Sequence, residues 1–336
     1  MEVIAGALHT AFPMDDSSRV GEARRHAAVL AEQAGLDEGA AGRLAIVVTE
    51  LGNNLARHAA RGRLLIARSG AAGVEVISMD EGPGMPNVER CMSDGYSTAG
   101  TPGTGLGAVK RMADDFELHS AVPDGTILIA RVRAGRAASM HPHGVRVAGI
   151  SLAAPGEYVC GDSWAAGLNG ASGAVIVADG LGHGPQAAEA SLAATAVFSS
   201  DPSASPRDTL TRAHDELRRT RGAAVSILHL DIGEASVRCC GAGNVLARVI
   251  SGVSDRAVLT QHGTVGLQIR RPEEVLQPWP DHAVLIVHSD GIESRWGAQR
   301  LMPVLGGDPQ LVAAILIRDH CRGRDDATVV VMRREG

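Results

Sequence analysis

The chain has 336 residues, 45% of them apolar but only 2% aromatic, with a formal charge of −6. That length allows two domains, each with its own core packed from Ala, Val, Leu and Ile. The acidic balance argues against a nucleic-acid-binding face, and no apolar stretch reaches the roughly 18 residues a membrane span needs. Glu2 and the lack of a basic leader do not read as a signal peptide, and the five cysteines (Cys91, Cys160, Cys239, Cys240, Cys321) are odd in number with no CxxC pair. Both features point to a cytoplasmic chain with reduced, buried thiols.

In chain order, Ser17 or Ser18 can cap a first helix running toward Ala34, and a second starts near Asp37. The second carries Leu44, Val47, Val48, Leu51 and Leu55 on one stripe. Strands are expected at 64–67 and 74–79, then a Gly/Thr/Ser-rich loop over 97–107, a helix over 108–116 and two strands ending at 125–130. This order fits helices against one face of a mixed sheet. Residues 135–143 lack apolar periodicity and read as a linker. The second half is strand-rich, with candidates at 145–152, 158–162, 174–178, 224–231, 237–240, 246–250, 283–288 and 328–332. Helical stretches at 185–198 and 206–219 interrupt them. A sheet sandwich flanked by helices fits. The domains are thus expected at 1–134 and 144–336.

In the first half, Glu50 and Asn54 are four residues apart and share a helix face. An Asn oxygen aimed at a cation, beside a Glu able to accept a hydroxyl proton, is a minimal kit for phosphoryl transfer. Asp80, in Asp80-Glu81-Gly82-Pro83-Gly84 after an apolar strand, can accept from an exocyclic amine. Gly103, Gly105 and Gly107 precede a helix that carries Lys110, a start suited to phosphate. Any one piece alone is equally a loop or a solvated face; the fixed order carries the weight.

In the second half, Asp162, Asp179, Asp290 and Asp325 all adjoin expected strands. Converging carboxylates repel one another unless cations sit between them. All-oxygen ligands suit Mg²⁺ or Mn²⁺, and two such ions can activate a water for in-line attack on a phosphoryl group. His183, in Asp179-Gly180-Leu181-Gly182-His183-Gly184, is read either as approaching the substrate phosphate or as stabilising the turn. Trp164, Trp279 and Trp296 read as structural, and Cys160 as packing.

The first set of motifs resembles the GHKL ATPase family: an N-box (Glu50 to Asn54), a DxGxG box (Asp80, Gly82, Gly84), a glycine lid (Gly103 to Gly107) and a late Gly125-Thr126. It is most similar to the small serine kinases of anti-sigma pathways. Asp94-Gly95-Tyr96-Ser97-Thr98 and Val109-Lys110-Arg111-Met112 resemble the switch-protein kinases of the bacterial stressosome. The resemblance implies an α/β sandwich of the Bergerat type with Glu50 as base, Asn54 holding Mg²⁺ with ATP, Asp80 reading adenine, and the lid covering the phosphates, with Lys110 and Thr126 in the pocket. Gly107-Ala108 departs from the expected Pro-Gly. The second half resembles PPM-type protein serine/threonine phosphatases of the SpoIIE branch, most of all the stressosome feedback phosphatase. That resemblance implies an α-β-β-α sandwich and an α+β chain overall. It also implies two Mn²⁺ or Mg²⁺ ions held by Asp162, Asp179, Asp290, Asp325 and the Gly180 carbonyl, with Asp326 behind them. The implied function is a bifunctional kinase and phosphatase acting on a STAS-domain anti-sigma factor antagonist or a stressosome scaffold protein. The alternative is a phosphatase whose ATP-binding half is only a sensor or a partner-binding module.

Overall fold

The computed structural model describes residues 1–92, 105–135, 144–170 and 172–334. It divides into two compact units, His9–Met140 and a second made of Met1–Leu8 with His141–Gly336. Gly103 and the 94–98 motif lie outside the described residues, as does most of the expected linker.

In chain order the elements up to residue 133 are β1 (Glu2–Ala5), β2 (Thr10–Pro13), α1 (Ser18–Gln33), α2 (Glu38–His58), β3 (Arg63–Arg68), β4 (Gly73–Met79), α3 (Val88–Met92), α4 (Gly105–Met112), β5 (Asp115–Ala121) and β6 (Gly125–Arg133). Strands β2-β3-β4-β6-β5 form one sheet. Every pairing in it is antiparallel, so the expected mixed sheet is corrected. The reason is local: β3 and β4, and β5 and β6, are joined by short turns, which only antiparallel neighbours allow. The helix expected over 108–116 ends at Met112, and Phe116 belongs to β5. Asp37 caps α2 by accepting the Ala40 N–H at 2.7 Å. The expected stripe of α2 is buried, with Leu44, Val47, Val48, Leu51 and Leu55 packed among Leu64, Ile66, Val74, Val76, Leu128 and Ala130 of the sheet. Each such side chain contributes about 1.5–3 kcal/mol by leaving water. That packing fixes which way the neighbouring face, with Glu50 and Asn54, is turned.

The second unit continues with β7 (Val145–Leu152), β8 (Asp162–Asn169), β9 (Ser172–Gly180), α5 (Pro185–Ser200), α6 (Pro206–Glu216), β10 (Ala223–Asp231), β11 (Ser236–Ala242), β12 (Leu246–Ile250), β13 (Asp255–Val258), β14 (Gly263–Thr264), β15 (Gln268–Ile269), β16 (Val275–Pro278), β17 (Val284–His288), α7 (Pro309–His320) and β18 (Ala327–Arg334). Two sheets, β1-β8-β9-β10-β11-β16 and β13-β12-β17-β18-β7, enclose a core that includes Trp164, Val177, Leu228, Trp279, Leu285 and Val330. Helices α5 and α6 cover the outer face of the first sheet, where Ala190, Ala194, Phe198 and Leu210 pack on Ile176 and Ile227. α7 packs on β7 and β18.

Three features depart from the sequence expectations. Residues 1–8 belong to the second unit: β1 pairs with β8, from Glu2 opposite Leu168 to Ala5 opposite Ala165. The strand expected at 158–162 begins only at Asp162 and runs on to Asn169. α7 was not expected, because Leu311 to Ile317 is buried on every side and shows no polar face.

Candidate active sites

The second unit gathers its carboxylates at one end of the sandwich. β8 and β9 pair antiparallel with Asp162 directly opposite Asp179. Side chains so placed stand about 5 Å apart at Cβ, and like charges there repel. Asp290 follows the end of β17, and Asp325 precedes β18. Asp179 feels the other three. Burial pushes the Asp179 pKa well above the ordinary carboxylate range, and Asp162, Asp290 and Asp325 push it further. Burial also raises Asp162, with Asp326 and Asp290 adding to the rise. Asp290 is raised by burial and then by Asp325.

Asp179, Asp290 and Asp325 line a cavity of 720 Å³ whose other walls include Leu181, Asn244, Leu259 and His262. Asp326, next in the chain, is buried and accepts the Ala154 N–H at 2.8 Å on Oδ1, while its charge still reaches Asp162. Gly180 has no room for a side chain, since a Cβ there would run into the Ala187 carbonyl of α5. His183 Nδ1 lies 2.8 Å from the Glu157 carboxylate. Cys160 is raised by burial and its thiol meets the Leu152 carbonyl at 3.4 Å, a packing role.

Two neutral groups that the motifs did not single out hold these carboxylates. Ser289 Oγ donates to Asp162 Oδ2 at 2.6 Å and accepts the Thr328 N–H at 2.9 Å. Asn244 Nδ2 donates to Asp290 Oδ2 at 2.7 Å. Behind them, Trp296 Nε1–H donates to His288 Nε2, so the imidazole keeps its proton on Nδ1, which meets the Ser289 carbonyl at 2.9 Å. Burial lowers the His288 pKa to about 4, consistent with that neutral ring. A Ser before Asp290 is the one signal in the sequence that marked this support; Asn244 reads only as a turn residue.

The carboxylate set has the oxygen-only chemistry of Mg²⁺ or Mn²⁺. Among the described residues, no group of three or more His, Cys, Asp or Glu side chains is arranged to hold a single ion outright. Asp162, Asp179, Asp290 and Asp325 would be the groups to hold such ions, which would supply a Lewis acid and an activated water.

In the first unit, α2 and the start of α4 bring Glu50, Asn54 and Gly105 together. A Cβ on Gly105 would lie 3.1 Å from Glu50 Oε2 and 3.5 Å from Asn54 Oδ1. Lys110 is exposed on the same short helix, and Gly107 is buried. Asp80 closes its own loop, accepting the Gly82 N–H at 2.7 Å. Its backbone N–H donates to the Thr126 carbonyl at 3.0 Å, and Gly125, with φ +84°, leaves no space between the two segments. The next N–H, of Glu81, donates to the Ala60 carbonyl just past α2. The DxGxG loop, the late Gly-Thr and the end of the N-box helix are therefore joined by backbone bonds. Ser120, which the sequence reading passed over, completes the joint: its Oγ accepts the Met85 N–H at 2.8 Å and meets Thr126 Oγ1 at 2.9 Å.

Residues 12–132 match the family described as histidine kinase-like ATPase domain, and residues 169–335 match stage II sporulation protein E (SpoIIE). The chain joins a GHKL-like ATPase domain to a SpoIIE-type PPM domain. The first domain is similar to the serine/threonine-protein kinase RsbT of Bacillus subtilis (strain 168), at 38% identity over 87 residues, 25% of this chain. The match spans 65% of that kinase's length. The SpoIIE-type domain is similar to a chain solved in work on the bacterial stressosome as a modular system that controls secondary messenger signalling, with 25% identity and a TM-score of 0.53 over 56% of this chain and 99% of that one. It also shares its fold with RsbX, solved in complex with magnesium, at 21% identity and a TM-score of 0.51 over 57% of this chain and 96% of that one. No helix among the described residues is long and apolar enough to cross a membrane.

Proposed function

We propose that the chain is a signalling enzyme whose ATPase-like domain phosphorylates a serine or threonine of a partner protein and whose SpoIIE-type domain hydrolyses such a phosphate. The observation that carries the hydrolytic half is the convergence of Asp162, Asp179, Asp290 and Asp325, three of them on the wall of one cavity. These four and the Gly180 carbonyl would hold two Mn²⁺ or Mg²⁺ ions. Bound there, the ions supply a Lewis acid for the phosphoryl oxygens and an activated water, so no protein nucleophile is needed. The chain's own groups set the ligand directions: Ser289 holds Asp162, Asn244 holds Asp290, and the β8–β9 pairing fixes Asp162 against Asp179.

In the other half Glu50 is the proposed base that takes the hydroxyl proton of the acceptor residue, and Asn54 the ligand of the Mg²⁺ that accompanies ATP. Asp80, with Thr126 beside it, would read adenine. Gly82, Gly84, Gly103, Gly105 and Gly107 allow close backbone approach to the nucleotide, and Lys110 adds charge near its phosphates. The likeness to RsbT and to a stressosome-related chain supports a STAS-domain antagonist or a stressosome scaffold as the shared partner, in the cytoplasm. A writer and an eraser on one chain act on such a partner at high effective concentration.

The test uses labelled ATP and a STAS-domain protein, with wild type against Glu50→Gln. In parallel, Mn²⁺-dependent hydrolysis of an aryl phosphate is compared between wild type and Asp179→Asn. Each substitution should remove one activity and leave the other. Loss of both activities from either folded variant would overturn the two-site reading. Absence of transfer from wild type would make the first domain a sensor or partner-binding module.

A further inference from the structure

The loop between β11 and β12 carries Gly243 and Asn244. Gly243 has φ +108°, and a Cβ there would run into Ala224, so this backbone path is open only to glycine. The path brings Asn244, 46 residues away in sequence, to the Asp290 carboxylate. Asn244 is exposed at the cavity wall and makes no contribution to either apolar core. Its Nδ2 donates to Asp290 Oδ2 at 2.7 Å, and Asp290 shares the cavity wall with two further carboxylates, Asp179 and Asp325.

We infer that Asn244 is a positioning residue for the metal-dependent reaction: its amide ties down Oδ2 of Asp290, so that Oδ1 is presented to the cation. The inference rests on the metal reading given above. An amide suits the task because it donates without carrying charge. A lysine or arginine in its place would neutralise the carboxylate and compete with the ion. A serine hydroxyl, on a side chain one heavy atom shorter, would not span the same gap. Without the donor, repulsion from Asp325 and Asp179 would turn the Asp290 side chain away from the cluster. Groups that orient ligating carboxylates in this way are typically worth 10- to 100-fold in metal affinity or activity.

The experiment uses the full chain as wild type, Asn244→Ala, Asp290→Asn and the double variant. Mn²⁺ affinity is measured by calorimetry, and the melting temperature is followed without Mn²⁺ and through an Mn²⁺ titration, which also reads weak binding. Asn244→Ala should weaken Mn²⁺ binding by roughly 10-fold or more and leave the metal-free melting temperature unchanged. The double variant should bind no more weakly than Asp290→Asn alone, because the amide acts through that carboxylate. Unchanged affinity in Asn244→Ala, or a double variant weakened by the full product of the two single effects, would overturn the inference. A wild type that binds no Mn²⁺ would overturn the metal reading itself, and this inference with it.

Discussion

The ATPase-like domain builds its candidate site from a helix face, tight loops and backbone bonds, with Glu50 and Asp80 as its candidate functional carboxylates; the SpoIIE-type domain stacks four carboxylates at strand ends, one pair directly opposite across a ladder. The contrast follows from what each is proposed to bind, a nucleotide in the first domain and a pair of cations in the second. A nucleotide brings its own negative charge, so its pocket must be close-fitting and lightly charged, and glycines serve that. A cation pair must find the negative charge already assembled. The folded protein therefore holds carboxylates where burial and neighbours disfavour their charge.

The largest expected effect that sharpens this contrast is catalytic. Glu50→Gln should lower phosphate transfer by roughly 10²- to 10⁴-fold, the usual worth of a general base, while ATP binding by a fluorescent analogue persists. Retained transfer would remove Glu50 from the mechanism. Next comes pH. The folded pKa values of Asp162, Asp179 and Asp290 lie above the unfolded carboxylate value. Over that interval the folded state binds more protons than the unfolded one, so stability is fully present below about pH 4 and is lost as pH rises through the raised values. The metal-free protein should accordingly show a falling urea midpoint for the second unit between about pH 4 and pH 8. Asp179→Asn should flatten that slope, and saturating Mn²⁺ should reverse it. A midpoint that rises with pH in the metal-free wild type would contradict the crowding of carboxylates.

Smaller effects test the supports. Ser289→Ala removes the hydroxyl that accepts the Thr328 N–H and donates to Asp162, and should cost about 1–3 kcal/mol by urea unfolding, all of it in the second unit. Gly125→Ala should cost the first unit about as much, because it places a Cβ at positive φ against the Asp80 carbonyl. An Ala at 125 that leaves ATP binding and stability intact would mean that the junction of the DxGxG loop with Thr126 is slack.

The sequence made the site residues easier to find than the elements that carry them. Asp80, Asp179 and Asp290 stand out as candidates because each follows an apolar strand, with a glycine one or two residues on. The α2 stripe was legible because one face is buried and the other is not. α7 was hidden by the opposite circumstance, burial all round. β8 was placed too early, since its Ala-Ala-Gly run has weak strand propensity and is held by partners on both sides. Asn244 and Ser120 act across 46 and 35 residues of sequence, on groups that local pattern does not connect to them. Asp325 and Asp326 are indistinguishable as letters; the fold separates them, placing Asp325 on the cavity wall and burying Asp326 with the Ala154 N–H on its carboxylate.

The strand Glu2–Ala5 pairs with β8, so in chain order the ATPase-like domain falls between two segments of the phosphatase-like unit. During synthesis the opening residues must wait for more than 150 others to emerge before their hydrogen-bonding neighbour exists. Completion of the second domain thus depends on residues made ahead of the ATPase-like domain. A fragment that begins after residue 143 would leave the flank of the strand that starts with Asp162 bare, open to pairing with a foreign chain.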